Sequence, residues 1–421
     1  MQQGMSGEGR AFRDVRMTGF ASRTTVEAVW NWLAEVVREY EPWESEAVEL
    51  FAAAGRVLAD DVVSPRNVPD FPKAMMDGYA VRAEETHGTG VYQRVSLQVV
   101  GTCYPGRAYE GTVGPGQAVQ IMTGGRLPKG ADAVVPVEAT ERLGEMVWIS
   151  DAVVAGRHVS TPGEDVSAGS VVFSAGRRLR PQDLGMLSIL GQRVVRVRRR
   201  PRVKVVITGN EVLPAGSASQ VNMTPDANGP MLCALITRDG GQPLLVGPLR
   251  DEPAALTGAV SPDDDVIIIT GGSSVGQEDF VPRWLAEHGE LVIHGVAMRP
   301  SSPTGMGRWQ GKLVFLLPGN PVSCLCAYDT FAGRVVRWLA QRTWGWPYHC
   351  QRGRLTQHLH SQVGRWDYAR VKMQAGAVEP LAISGASLLS TTTQADGFVI
   401  IPADSEGYPA GREVEVYLYD S

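Results

Sequence analysis

Three loops in the middle of the chain carry residue types that hold a phosphate: Thr208-Gly-Asn-Glu211, Thr270-Gly-Gly-Ser-Ser-Val-Gly276 and Leu317-Pro-Gly-Asn-Pro-Val-Ser323. Glycine lets backbone N–H groups approach an anion, and a helix beginning just after such a loop adds its positive end. A lone Thr-Gly-Gly is more often a tight turn, but three such loops together point to a ligand site. None is a Walker A loop, because no Gly-Lys-Ser/Thr follows, and Gly-x-Gly-x-x-Gly is absent. Carboxylates accompany the loops or stand upstream of them: Asp77, Asp165, Glu211, Asp251 and Asp279. Each alone suits a cap or turn. Several beside a phosphate site suggest Mg²⁺, a hard ion that takes oxygen ligands and bridges phosphates. The seven histidines show no metal-ligand spacing, and neither a Ser/His/Asp constellation nor a zinc signature is present. Cys324-Leu-Cys326, the only close cysteine pair, sits in an apolar helical pattern and reads as core.

The elements that must position these loops follow from periodicity. Between Arg202 and Arg342, apolar β-branched runs alternate with amphipathic helices. Strands are expected over Val203–Ile207, Pro243–Val246, Val266–Thr270 and Lys312–Leu317, and helices over Pro230–Arg238, Pro253–Val260, Phe280–His288 and Val322–Gln341. Such a pattern implies a parallel sheet covered on both faces, with ligands bound at the carboxyl ends of its strands. Upstream, Thr24–Tyr40 reads as a helix opened by a Thr-Thr-x-Glu capping box, and Ser45–Ala59 as a second helix. From Val62 to Ser160 short β-rich runs punctuated by Gly and Pro predict a small all-β domain, followed by a short helix over Gln182–Leu190. Strands return beyond Trp346. The basic stretch Arg196–Arg200 reads as a solvated strand face at a domain boundary rather than a nucleic-acid surface.

Composition narrows the classes. The 421 residues include 48 Gly and 27 Pro, more than average usage and short of a low-complexity chain, so the protein is folded, loop-rich and multidomain. A net charge of −5 makes no bulk case for nucleic acid, and no apolar run is long enough for a membrane span. Met1–Phe20 lacks the apolar centre of a secretory signal, and five unevenly spaced cysteines fit a reducing cytosol. A cytoplasmic location is expected.

Five ordered motifs carry a resemblance. They are Met75-Met-Asp-Gly-Tyr-Ala-Val-Arg82, the stretch from Ile121-Met-Thr-Gly-Gly to Val-Val-Pro-Val-Glu138, and the three loops above. Together they resemble the molybdopterin molybdenumtransferase family, the MoeA proteins and the gephyrin E domain. The resemblance implies an elongated homodimer with a multidomain α/β plus β fold. Its parts are a doubly wound molybdopterin-binding α/β domain (201–345), an inserted β-domain (63–166), a helical linking region (17–62 and 167–200) and a C-terminal β-barrel (346–421), after a disordered tail (1–16). It implies insertion of molybdate into adenylylated molybdopterin with release of AMP, in the presence of Mg²⁺. The site is expected between the α/β domain of one protomer and the β-domain of the other. Asp77, Thr123 and Asp165 match family site positions in the β-domain; Glu211, Asp251, Asp279, Pro318 and Pro321 match those of the α/β domain. Asp77, Glu211 and Asp165 are the expected catalytic groups, with Asp279, Glu211 and Asp77 toward the metal. Substrate is expected on Thr123, Gly271, Gly272, Ser273, Ser274, Asp251, Arg299, Ser302, Pro318, Gly319, Asn320 and Pro321.

Departures accompany the match. Family members usually carry Lys-Pro-Gly-Lys-Pro where this chain has Arg299-Pro-Ser-Ser-Pro303, and often a lysine where it has Gly295. Loss of two cations at a polyanion site weakens binding, each charge-assisted contact being worth roughly 1.5–3 kcal/mol. Arg250 and Arg308 are candidates to replace them. The alternative is a weakened family member that binds molybdopterin or acts as a scaffold. A change of step to adenylyl transfer is disfavoured, because single-domain adenylyltransferases lack the β-domain; such an adenylyltransferase is instead a candidate partner.

Overall fold

The computed structural model describes residues 22–40, 44–272, 280–383 and 385–419. The expected tail, 1–16, lies outside the described residues. The chain forms two compact units, one of residues 45–197 and one of the segments before and after it.

In the unit of residues 45–197, the expected helix over Ser45–Ala59 is not formed. Ser45–Glu49 is a strand paired with Val194–Arg198, and only Leu50–Ala52 makes a 3₁₀ turn. The helical reading needed Phe51 inside, but Phe51 is 94% exposed, and the Leu50 N–H bonds to the Arg193 carbonyl at 2.9 Å. A short segment with so weak an apolar stripe is marginal as a helix, and a partner strand satisfies its backbone better. The main sheet has six strands: β1 (Gly78–Val81), β2 (Val95–Cys103), β3 (Gln117–Ile121), β4 (Ala133–Pro136), β5 (Thr140–Leu143) and β6 (Met146–Ile149). Their order is β4-β1-β3-β2-β6-β5. Leu97, Val147 and Ile149 point inward from alternating positions. One helix, α2 (Pro181–Ile189), packs Leu187 into a small separate core beside Leu58 and Val197.

The other unit starts with α1 (Val26–Val36), whose Val26, Val29, Leu33 and Val36 recur at helical spacing and are buried. Its cap is Thr25, one residue later than the capping-box pattern suggested, and accepts from the Ala28 N–H at 3.2 Å. Glu27 instead accepts from the Trp366 indole N–H. The α/β sheet uses β7 (Arg202–Thr208), β8 (Gln242–Leu249), β9 (Val266–Thr270), β10 (Glu290–His294), β11 (Gly305–Trp309) and β12 (Lys312–Leu317), in the order β8-β7-β9-β12-β11-β10. β8, β7, β9 and β12 pair in parallel, whereas β11 pairs antiparallel with both β12 and β10, so the parallel expectation holds for the four strands that carry the loops and not for the two added beyond them. Val205 and Ile207 face α1 and α3 (Asn228–Asp239); Val206 faces α4 (Pro253–Ala259) and α5 (Val281–His288). Burial on both faces explains the unbroken apolar runs.

After β12, α6 (Pro321–Ala327) passes through a π-helical turn, Tyr328–Ala332, into α7 (Gly333–Leu339), where one continuous α-helix was expected. The turn inserts Asp329 into a buried polar network with Arg238, Tyr348 and Tyr368. The C-terminal strands β13 (His349–Leu355), β14 (Trp366–Gln374), β15 (Ala377–Ala382), β16 (Gly397–Ile401) and β17 (Glu413–Leu418) close on themselves as a barrel, because β14 pairs with both β15 and β16. The short stretch Met298–Arg299 adds in parallel to Trp366–Asp367. Among the described residues no helix is long and apolar enough to cross a membrane.

Candidate active site

Register brings the three loops to one edge. Ile207 on β7 pairs with Thr270 on β9, which pairs with Leu317 on β12, so Gly209, Gly271 and Pro318 all leave the sheet at the same end. A Cβ on Gly271 would stand 2.1 Å from the Thr208 carbonyl oxygen, and its φ is +101°. Only glycine lets β7 and β9 turn this close together. Asn228, buried at the start of α3, clamps the other two loops. Its amide donates to Thr270 Oγ1 at 3.0 Å and to the Gly319 carbonyl at 2.8 Å, while Thr270 Oγ1 donates to the Pro318 carbonyl at 3.2 Å. Asp226 Oδ1 accepts from the Gly229 N–H at 2.9 Å and holds the turn into α3. Sequence reasoning missed Asn228, although Asp226-Ala-Asn-Gly-Pro230 is a helix-entry signature.

Glu211 stands exposed after β7, beside Asn210. The Asn210 N–H donates to Asp251, and the Asp251 N–H returns a bond to the Asn210 side-chain carbonyl, both at 3.3 Å. The ends of β7 and β8 are thereby joined. Glu211 and Asp251 offer hard carboxylate oxygens of the kind Mg²⁺ takes, but no group of three or more His, Cys, Asp or Glu among the described residues could hold a metal alone.

Beside the Pro318–Asn320 loop lies a cavity of about 740 Å³, lined among others by Arg23, Arg299, Ser302, Pro318, Asn320 and Arg365. Asp367, 0% exposed, sits behind it. It accepts from Arg299 Nε at 3.0 Å and from a second Arg299 nitrogen, from Ser361 Oγ at 2.7 Å, and lies 3.5 Å from Arg365 Nε. The wall stretch is strained, since Ser301 has φ +99°, and Ser301 Oγ donates to the Ser323 carbonyl at 2.6 Å.

The β-domain carries a separate constellation. β1 and β3 pair with Gly78 opposite Ile121, which sets Asp77 and Thr123 side by side past the paired ends. Asp77 Oδ1 accepts from the Thr123 N–H and from its hydroxyl, each at 2.7 Å, and these bonds hold its carboxyl below the usual range. Asp165 is exposed in a turn whose N–H bonds to the Val68 carbonyl at 3.0 Å.

Of the residues expected at the site, Arg299, Ser302, Pro318, Gly319 and Asn320 share the cavity wall. Gly271, Gly272, Glu211, Asp251 and Pro321 cluster at the sheet edge without lining it, and Ser273, Ser274 and Asp279 lie outside the described residues. Neither expected replacement arginine reaches the cavity. Arg308 is held by Glu39 at 2.7 and 3.1 Å, and Arg250 is exposed after β8. Arg23 and Arg365 stand there instead, brought by segments at the two ends of the chain. Burial pushes the Cys324 thiol up to about 12 and the Cys326 thiol well above its ordinary value, consistent with a packing role for both.

Three family models match in chain order: the MoeA N-terminal region (domains I and II) over residues 24–191, a probable molybdopterin binding domain over 204–338, and the MoeA C-terminal region (domain IV) over 352–419. The chain is 35% identical over 399 residues to molybdopterin molybdenumtransferase 2 of Mycobacterium tuberculosis, covering 91% of this chain and 97% of that one. It is 32% identical to the molybdopterin molybdenumtransferase of Bacillus subtilis, covering 89% and 90%. A solved molybdopterin biosynthesis MoeA protein from Pyrococcus horikoshii superimposes with a TM-score of 0.77 at 30% identity, over 94% of this chain and all of that one. Matched from residue 24 to residue 419 by ordered family models, the chain belongs to the MoeA family.

Proposed function

We propose that this protein is a molybdopterin molybdenumtransferase of molybdenum-cofactor biosynthesis, inserting molybdate into adenylylated molybdopterin with release of AMP. The arginine-lined cavity beside the Pro318–Asn320 loop carries the reading, since a cationic hollow of about 740 Å³ suits an anionic ligand of pterin size. In this proposal the Gly271–Gly272 turn presents backbone donors to phosphate oxygens, Ser273 and Ser274 are further substrate-binding residues, and Arg299 and Arg365 face negative charge from the barrel side. Asp77, kept ionised by Thr123, and Asp165 act from the β-domain of a homodimer partner. Mg²⁺, when bound, supplies charge neutralisation at the phosphoanhydride; Glu211, Asp279 and Asp77 are the carboxylates proposed to hold it, and Asp251 is proposed to bind substrate. A molybdopterin adenylyltransferase would supply the substrate in the cytoplasm.

Purified protein given adenylylated molybdopterin, molybdate and Mg²⁺ should release AMP, and D77A and E211A should each suppress it. Tight pterin binding without AMP release would instead support the scaffold reading, which Gly295 and Ser302 motivate by lacking the usual cations.

A further inference from the structure

We infer that Arg23 is an oxyanion-binding residue of the cavity and supplies the charge that Gly295 and Ser302 lack. The inference rests on the anion-site reading above and adds to it a residue from outside the five motifs. Arg23 lines the cavity together with Ser22 and Thr25, on the segment leading into α1. That segment is stitched to the departing stretch itself. The Thr24 N–H donates to the Gly295 carbonyl at 3.0 Å, and the Ala297 N–H donates to the Thr24 carbonyl at 2.8 Å. The backbone bearing Arg23 is therefore pinned beside Gly295, where the cation is missing.

The three cavity arginines differ in what they already hold. Arg299 is tied to Asp367 through two nitrogens, and Arg365 approaches the same carboxylate. Arg23 makes no ion pair among the described residues, and its side chain is exposed. Three guanidiniums against one carboxylate leave this wall two positive charges in excess, a match for a tetrahedral dianion. On the same wall Ser302 Oγ is buried without a hydrogen-bond partner, which is a cost unless a ligand uses it. The ligand chemistry is a dianionic oxyanion, either free or as a phosphate monoester.

The test is calorimetric titration of the full chain and its R23A and R23K variants with molybdate and, separately, with phenyl phosphate. R23A should weaken at least one of the two about 10-fold or more, R23K should recover part of the loss, and the melting temperature should not move. Loss confined to molybdate assigns Arg23 to the free oxyanion, and loss confined to phenyl phosphate assigns it to the pterin phosphate. Unchanged affinity in R23A, or no binding of either probe by the parent chain, overturns the inference. AMP release by the parent chain is scored separately. Turnover with an R23A affinity equal to the parent's sinks only the role of Arg23, and Arg23-dependent binding without turnover sinks only the transferase reading.

Discussion

One oxygen of Asp77 accepts both donors of Thr123, the backbone N–H and the hydroxyl, each at 2.7 Å. Both bonds favour the ionised carboxyl, so its folded value lies below the ordinary 3.8. The sign follows: Asp77 stays charged from neutral pH down to a lower pH than an ordinary aspartate does. T123V removes the hydroxyl bond but keeps the amide bond, so the acid limb of a pH–kcat/KM profile should move to higher pH. D77N should lower kcat/KM about 100-fold or more, the scale of a lost acid–base or positioning group. An unmoved limb in T123V would show that Asp77 does not set it.

Gly271 tolerates no side chain. In G271A the new carbon would meet the Thr208 carbonyl 2.1 Å away, at a φ of +101° that already costs an L-residue about 1–2 kcal/mol. The β7 and β9 loops must separate to admit it. The expected outcome is destabilisation of about 2 kcal/mol or more in urea melts, with loss of pterin binding.

Ser301 gives an ordering rather than a single value. Its φ of +99° is strained for any residue with a Cβ, and its hydroxyl bond to the Ser323 carbonyl offsets part of that strain. S301A keeps the strain and loses the bond, at a cost of about 1 kcal/mol. S301G loses the bond but also the strain, and should be at least as stable as the parent. Thermal melts ranking Gly at or above Ser, and Ser above Ala, are predicted.

Deep in the α/β unit, Asp239 and Arg337 form a pair at 2.9 Å with side chains 0% and 2% exposed, and Tyr328 also donates to Asp239 at 3.1 Å. R337A leaves Asp239 buried with Arg238 as its remaining cation, and should cost about 3 kcal/mol in chemical denaturation. R337M should cost less than R337A, because it fills the volume.

The fold of the α/β unit was largely legible, because strands buried on both faces must be unbroken apolar runs and their helices must be amphipathic. Val266–Thr270 and Lys312–Leu317 could be read as they stand. Ser45–Glu49 could not, since its state depends on the distant partner strand Val194–Arg198. The antiparallel pair β10 and β11 escaped for a related reason: local composition does not encode strand direction.

The site divides in the same way. Sequence alone determined the chemistry of the loops, because glycines, hydroxyls and carboxylates at fixed short spacing define what a turn can hold. Set against the family pattern it resembles, the sequence also showed cations missing at Gly295 and Ser302. Which cationic groups line the cavity was decided only by tertiary structure. Pairing of Thr24 beside Gly295 sets Arg23 at the cavity, closure of the barrel through β14 sets Arg365 there, and Glu39 draws Arg308 away. A cavity wall is assembled from segments hundreds of residues apart, and no local spacing records which of them will meet.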